Sequence, residues 1–464
     1  MESFQVRWRN FRSFEDTGWL NVRPLTVIIG PNGSGKTSLL APLLLLKQTL
    51  QSADRSLALK TRGELFDAGS FGDAIRDGNV GRRMSFAFRF HRQDATPHEV
   101  KPLGEYPPGE VSLAFSLPAG NTFPALHQYD VLDTYGRLLL RRLQTKGGSY
   151  GLRGVPLGTM ERRLKSAIRK TPPTHFLFTP EPVLRETFEK DIKTKSQRSE
   201  AAEGQVAVEE VTIEKSAGLY FAITSFVASW FERLLRNVSF VGPLREHPRR
   251  VYVLSGEHPP HVGIRGEWAP EIIYRQRDAD LLRKVNEWID RFALGVRLER
   301  RPCGDDAFSI TLRRAGQRLA LNLADTGFGL SQVLPLIVQS FYSNRRSLIL
   351  AEQPEIHLNP RLQTLLADLF VEVAKSGRGV ILETHSEHLL LRIRRLIAER
   401  HMKARDVSLV YVETSGRRST VREIPVHSNG HIDLEQWPKG FFEDSLRESL
   451  GLASAQTTSV SHAQ

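Results

Sequence analysis

Cysteine is almost missing from this chain: Cys303 is the only one in 464 residues. A disulfide framework and a cysteine-based zinc site are thereby excluded, and the usage fits a reducing compartment. Long apolar runs are missing too. The most apolar stretch, Ala217 to Phe231, is too short to cross a bilayer and runs straight into Glu232 and Arg233, which reads as a buried helix. Met1-Glu2-Ser3-Phe4 lacks the basic then apolar layout of a secretory leader, so a cytoplasmic protein without a membrane partner is expected. There is no internal repeat and no heptad run long enough for a coiled-coil arm. His385 and His388 stand three apart, but no carboxylate or cysteine is spaced to complete a zinc site with them.

The remaining composition is that of a globular chain, 40% hydrophobic and 25% charged. Lys and Arg outnumber Asp and Glu by 64 to 52, giving a net charge of +12, which makes an acidic partner such as nucleic acid electrostatically favourable. Much of the excess is local. From Arg137 to Lys170 there are ten basic residues (Arg137, Arg141, Arg142, Lys146, Arg153, Arg162, Arg163, Lys165, Arg169, Lys170) against one acid, Glu161. This segment is the expected nucleic-acid contact; the alternative is a solvated surface.

Periodicity divides the chain. Phe4 to Trp8 alternates as a strand does, and Leu25 to Ile29 is a continuous apolar run ending at a glycine, as a buried parallel strand is. After Gly63 come short β-like runs, Met84 to Phe90, Glu110 to Phe115 and Tyr135 to Leu143, broken by Gly and Pro. Residues 190–204 are polar and free of aromatics, which predicts a mobile linker. An α/β rhythm returns at Leu348. Asn359-Pro360 caps a helix in which Leu362, Leu365, Leu366, Leu369, Phe370 and Val373 share one face, and Val380 to Leu382 is the next strand. The expected organisation is an N-terminal lobe over residues 1–80, an insertion over 81–240, a C-terminal lobe over 241–400, a C-terminal element over 401–450 and a disordered tail over 451–464.

Chemistry enters at Gly30-Pro31-Asn32-Gly33-Ser34-Gly35-Lys36-Thr37, which matches G-x-x-x-x-G-K-[ST] between a predicted strand and a helix. Glycines there let backbone N–H groups approach phosphates, with Asn32, Gly33, Ser34, Gly35 and Ser38 lining the cradle. Lys36 reaches the β and γ phosphates of ATP, and the Thr37 hydroxyl ligates Mg²⁺. Pro42 falls inside the following helix and should kink it. Ser347 to Ala351 is an apolar strand delivering Glu352, the carboxylate expected to hold Mg²⁺ with Thr37.

These motifs, with Asn10-Phe11-Arg12-Ser13-Phe14, the loop Gly327-Phe328-Gly329-Leu330-Ser331-Gln332, the string Glu352-Gln353-Pro354-Glu355-Ile356-His357-Leu358-Asn359-Pro360 and Thr384-His385-Ser386, resemble the ABC-class ATPases of the SMC, RecF and OLD lineage. Most similar are the bacterial predicted AAA-family ATPases linked to phage defence, lacking coiled-coil arms and lacking the metal-nuclease domain that OLD nucleases carry. Trp437-Pro438-Lys439-Gly440-Phe441-Phe442 resembles a C-terminal element of such ATPases.

The resemblance implies an α/β P-loop fold of ABC type, a mixed sheet with flanking helices and a large central α+β insertion. It also implies a homodimer closed by ATP. Gly327, Gly329, Ser331 and Gln332 would then meet the nucleotide of the other copy, and His385 would sense the γ-phosphate. Many ABC ATPases carry a water-polarising glutamate at the position of Gln353. An amide orients water but takes no proton, so hydrolysis should be slow unless Glu355 substitutes as base; otherwise Glu355 is a surface acid at the helix start. The expected role is a sensor in phage defence or DNA maintenance acting on nucleic acid or on an effector, a nuclease or toxin encoded nearby. A RecF-like repair ATPase and the ATPase subunit of a transporter are the alternatives.

Overall fold

Alternation along the first strand has a plain cause: Phe4, Val6, Trp8 and Phe11 are buried while the residues between them keep a polar edge. The computed structural model describes residues 3–90, 103, 106–154, 160, 162–179, 205–293, 295–326, 328–433 and 435–438. In chain order the N-terminal part runs β1 (Phe4–Phe11), β2 (Phe14–Asp16), β3 (Leu20–Val22), β4 (Leu25–Ile29), α1 (Lys36–Leu50), α2 (Phe71–Ala74) and β5 (Met84–Arg89). The middle adds β6 (Pro108–Ser116), β7 (Ala125–Asp133), β8 (Leu138–Gln144), β9 (Tyr150–Arg153), α3 (Arg162–Lys170) and α4 (Gln205–Arg236). Then follow β10 (Val238–Val241), β11 (Tyr252–Val253), α5 (Ala269–Arg275), α6 (Ala279–Ala293), β12 (Val296–Pro302), β13 (Ala307–Arg314) and β14 (Ala320–Asn322). Last come α7 (Phe328–Tyr342), β15 (Leu348–Glu352), α8 (Pro360–Lys375), β16 (Gly379–Glu383), α9 (Glu387–Ala398), β17 (Val407–Ser415) and β18 (Arg418–Ile424).

Among the described residues one sheet of 14 strands organises the fold, in the order β10-β15-β16-β4-β17-β18-β2-β1-β5-β6-β7-β8-β9, with β3 paired to β1. Its β10-β15-β16-β4-β17 half is parallel, and β5 to β9 continue from β1 as antiparallel neighbours. The parallel strands are buried on both faces, which is why they read as continuous apolar runs. Leu348, Leu350, Ile28 and Ile381 belong to the core under α1 and α4, whereas Ile349, Ala351, Val27 and Leu382 belong to the core under α6 to α9. This is a mixed α/β fold of the P-loop type, with a second sheet of β11, β12, β13 and β14 beside it.

The apolar run at 217–231 lies in α4, where Phe226, Trp230 and Phe231 pack edge-on or tilted against Phe4, Phe88, Phe90 and Phe176. Helix α8 starts as expected, with the Asn359 side chain accepting from the Leu362 amide and proline at its first turn. Helix α1 runs on through Pro42. Two expectations need correction. The strand read from Tyr135 begins only at Leu138, because Asp133 accepts from the amides of Tyr135 and Arg137 and folds 133–137 into a turn. Strand β7 went unread, its pattern being interrupted by His127 and Gln128. The predicted linker 190–204, the tail 451–464, Gly327 and the Lys439–Phe442 part of the C-terminal string lie outside the described residues.

Candidate functional site

Parallel pairing puts three strand ends on one edge. Glu352 closes β15 directly opposite Glu383, the last residue of β16, and Glu383 in turn pairs with Ile28 of β4, just ahead of the loop 30–35. The loop is squeezed against β17 and β18. A Cβ at Gly30 would lie 2.1 Å from the Val412 carbonyl oxygen, and one at Gly35 2.9 Å from Ser13 Oγ. Both glycines also hold positive φ, 151° and 99°, so only glycine fits either place without strain. Asn32 and Gly33 are exposed at the tip, while Ser34 and Ser38 are buried. Gly35 is the N-cap of α1, no side chain among the described residues caps that end and no acid stands in its first turn, which leaves amide donors for an anion.

Lys36 is 4% exposed and its Nζ donates to the carbonyls of Gly30 at 3.1 Å and Pro31 at 2.8 Å. Burial lowers its pKa, against the opposing pull of Glu383, Glu352 and Glu355. Thr37 Oγ1 lies 3.2 Å from Glu352 Oε1 and 2.9 Å from Glu383 Oε2. A single hydroxyl proton cannot serve two carboxylates. Burial, then the charge of Glu352, pushes Glu383 up to about 7, and burial also raises Glu352. Three hard oxygen donors carrying excess negative charge are what Mg²⁺ needs, so Thr37 and Glu352 fit the metal role and Glu383 joins them. Glu383 was missed in the sequence. Its signal is there, an acid closing the apolar strand before Thr384-His385.

Beyond β15 the chain turns sharply. Gln353 takes φ 43°, unusual for a side chain other than glycine, and its amide donates to the Glu383 carbonyl at 2.7 Å. On the other side Arg245, 6% exposed, donates to the carbonyls of Glu352 at 3.4 Å, Gln353 at 3.3 Å and Pro354 at 3.5 Å. Burial brings Arg245 down to about 10, so it stays charged at neutral pH. Its place after β10 carried no sequence signal.

Glu355 does not sit at the surface as a helix-start acid. It is buried, and its Oε1 accepts from the His385 amide at 2.6 Å. Burial raises its pKa. The helix start it was a candidate to cap is capped by Asn359 instead. His385 is half-buried, and burial first, then the Lys36 charge, lowers its pKa and keeps the ring neutral. Gly329 lies in the first turn of α7, where Ser331 and Gln332 are buried at 6% and 1% exposure.

The basic segment is a weaker patch than its charge count implies. Arg142 is fully buried, donating to Tyr220 Oη at 2.7 Å, to the Ile168 carbonyl at 2.6 Å and to the Thr171 carbonyl at 3.1 Å. Arg141 pairs with Asp130 and Arg137 with Asp133. Lys146, Arg153, Arg162, Arg169 and Lys170 remain exposed.

Fold and loop together define a P-loop nucleotide-binding fold. A family model described as AAA ATPase domain matches residues 1–101 and 278–390, and one described as a protein of unknown function, DUF3696, matches residues 402–452. Similar solved structures include an SMC head bound to the C-terminal winged-helix domain of ScpA, 13% identical over 91% of this chain and 97% of that one, with a TM-score of 0.41. Another is the Smc head with an extended coiled coil bound to the C-terminal domain of ScpA, derived from Pyrococcus furiosus, 14% identical over 91% and 96%, TM-score 0.37. The SMC head from Thermotoga maritima is 13% identical over 91% and 99%, TM-score 0.39. No curated protein matches the chain. Among the described residues no helix is long and apolar enough to cross a membrane.

Proposed function

We propose that this chain binds ATP with Mg²⁺ and acts as a slowly hydrolysing switch of two copies, each closing its phosphate loop against Gly329, Ser331 and Gln332 of the other. The observation that carries the reading is the convergence of Lys36, Thr37, Glu352 and Glu383 at one strand edge with an amide, Gln353, as the next residue. Lys36 would leave its two loop carbonyls for the β and γ phosphates. Thr37 and Glu352, with Glu383, would hold the metal, which supplies charge neutralisation at the phosphates. Gln353 orients the attacking water without accepting its proton. Neutral His385 reports on the γ-phosphate, and Glu355 fixes the backbone of His385 rather than serving as base. From the family resemblance comes the setting, a cytoplasmic sensor in phage defence or DNA maintenance whose output is nucleic acid or a partner effector; a RecF-like repair role is the second reading.

Steady-state phosphate release tests the water assignment. A general base contributes about 10²–10⁴ in rate, so Gln353→Glu should raise turnover by about tenfold or more. Glu355→Gln should change it far less, and Lys36→Ala should abolish nucleotide binding. A large loss in Glu355→Gln with no gain in Gln353→Glu overturns the assignment and makes Glu355 the base.

A further inference from the structure

At the end of α1 opposite the phosphate loop lies a cleft of about 980 Å³, large enough for a nucleotide-sized ligand. Helix α1 starts at Lys36 and spans 15 residues, and at 1.5 Å per residue it carries its last turn roughly 22 Å away. Ser347, just ahead of β15, and Val238 and Ser239 at the start of β10 also line the cleft. Since the carboxylates of the candidate nucleotide site stand at the far ends of β15 and β16, the two sites occupy opposite edges of the parallel sheet.

Its lining is cationic. Lys47, Arg55 and Arg236 face one carboxylate, Glu232, among the described lining residues, and His175 and His261 add two imidazoles. Lys47 is 4% exposed and donates to the carbonyls of Arg236 and Val238, which uses two of its three N–H groups and leaves one. Burial brings this ammonium down to about 8, with no carboxylate partner among the described residues. His261 Nδ1 accepts from the Gly263 amide, so the neutral ring carries its proton on Nε2 and is a donor there. Ser239 is 5% exposed and its Oγ has no hydrogen-bond partner among the described residues. Leu50, Leu177 and Tyr342 supply apolar wall. A buried cation and a hydroxyl that have no anion and no partner among the described residues, with a neutral donor, around a roomy polar cleft make a receptor for negative charge, which an acidic protein surface would enter less well than a compact phosphate ester.

We propose that this cleft is a second ligand site, separate from the phosphate loop, that takes a small phosphorylated molecule of nucleotide size. Lys47, Arg55 and Arg236 meet the phosphate, and Tyr342 with Leu50 meets its apolar part.

Isothermal titration of the full chain with two probes, inorganic pyrophosphate and AMP, tests this. The background is Lys36→Ala, which silences the phosphate loop. Binding of either probe should survive Lys36→Ala within about twofold and weaken at least tenfold in the added pair Arg55→Ala and Arg236→Ala. Both of these are exposed side chains whose loss should leave the melting temperature unchanged. Tighter binding of AMP assigns a nucleotide, and tighter binding of pyrophosphate assigns a polyphosphate without a base. Absence of binding to both probes in Lys36→Ala, or equal binding in the arginine pair, overturns the proposal. The failure of nucleotide binding at Lys36 itself would leave this outcome unaffected, because the two sites share no lining residue.

Discussion

Glu383 is the residue on which electrostatics and function meet. Its folded pKa is about 7 against an ordinary value of 4.5, so between those limits the folded chain keeps a proton that the unfolded chain has released. The stability from this group is therefore complete below pH 4.5 and is lost as pH rises through 7. Each unit of displacement corresponds to about 1.4 kcal/mol. Thermal melts without nucleotide should show Glu383→Gln melting above wild type at pH 8, with the gap closing toward pH 5; parallel curves at both pH values would mean that Glu383 carries no displaced proton. Mg²⁺·ATP, needing both carboxylates ionised, should bind wild type more tightly as pH rises through 7. Neither trend could be read in the sequence, where Glu383 is one acid before a histidine. Its role comes from the β15–β16 register, a pairing between residues that are distant in the chain, whereas Lys36, Thr37 and Glu352 announce themselves through local motifs.

Elements were legible to the degree that one face of each is buried. Strands β4, β15 and β16 and helix α8 were found because burial imposes unbroken apolar runs or a helical stripe, while β7 hid behind His127 and Gln128. The basic segment shows the opposite limit: a charge count along the chain cannot tell that Arg142 points inward and ties the C-terminal end of α3 to Tyr220 on α4. Arg142→Met would leave the buried Tyr220 hydroxyl without this donor, at about 1–3 kcal/mol for a buried group left unpaired, and would strip the Thr171 carbonyl of it as well, while the Ile168 carbonyl keeps the Thr171 amide. It should lower the melting temperature by several degrees. Replacing exposed Arg162, Arg169 and Lys170 with Glu should leave stability intact and weaken any DNA binding, with a shallower salt dependence in fluorescence anisotropy. If the triple variant binds as wild type does, α3 is a solvated surface.

For the whole molecule the decisive feature is that one sheet carries everything: the phosphate loop, both carboxylates and His385 lie at strand ends on a single edge, while Gly329 and Ser331 stand on α7, packed on one face. In the proposed switch a second copy would supply α7 to the nucleotide and so close a two-fold interface. Gly329→Arg is the cleaner probe of that interface than a change at buried Ser331, because a side chain at 329 starts in ordinary contact, 3.6 Å from Leu358 and Leu362. Light scattering measures the outcome directly. With ATP and Mg²⁺ the 52.4 kDa chain should double in mass, while Lys36→Ala, and Gly329→Arg with ATP bound, should stay at 52.4 kDa. A wild-type mass that is the same with and without bound ATP, or a Gly329→Arg chain that doubles as wild type does, would contradict the account.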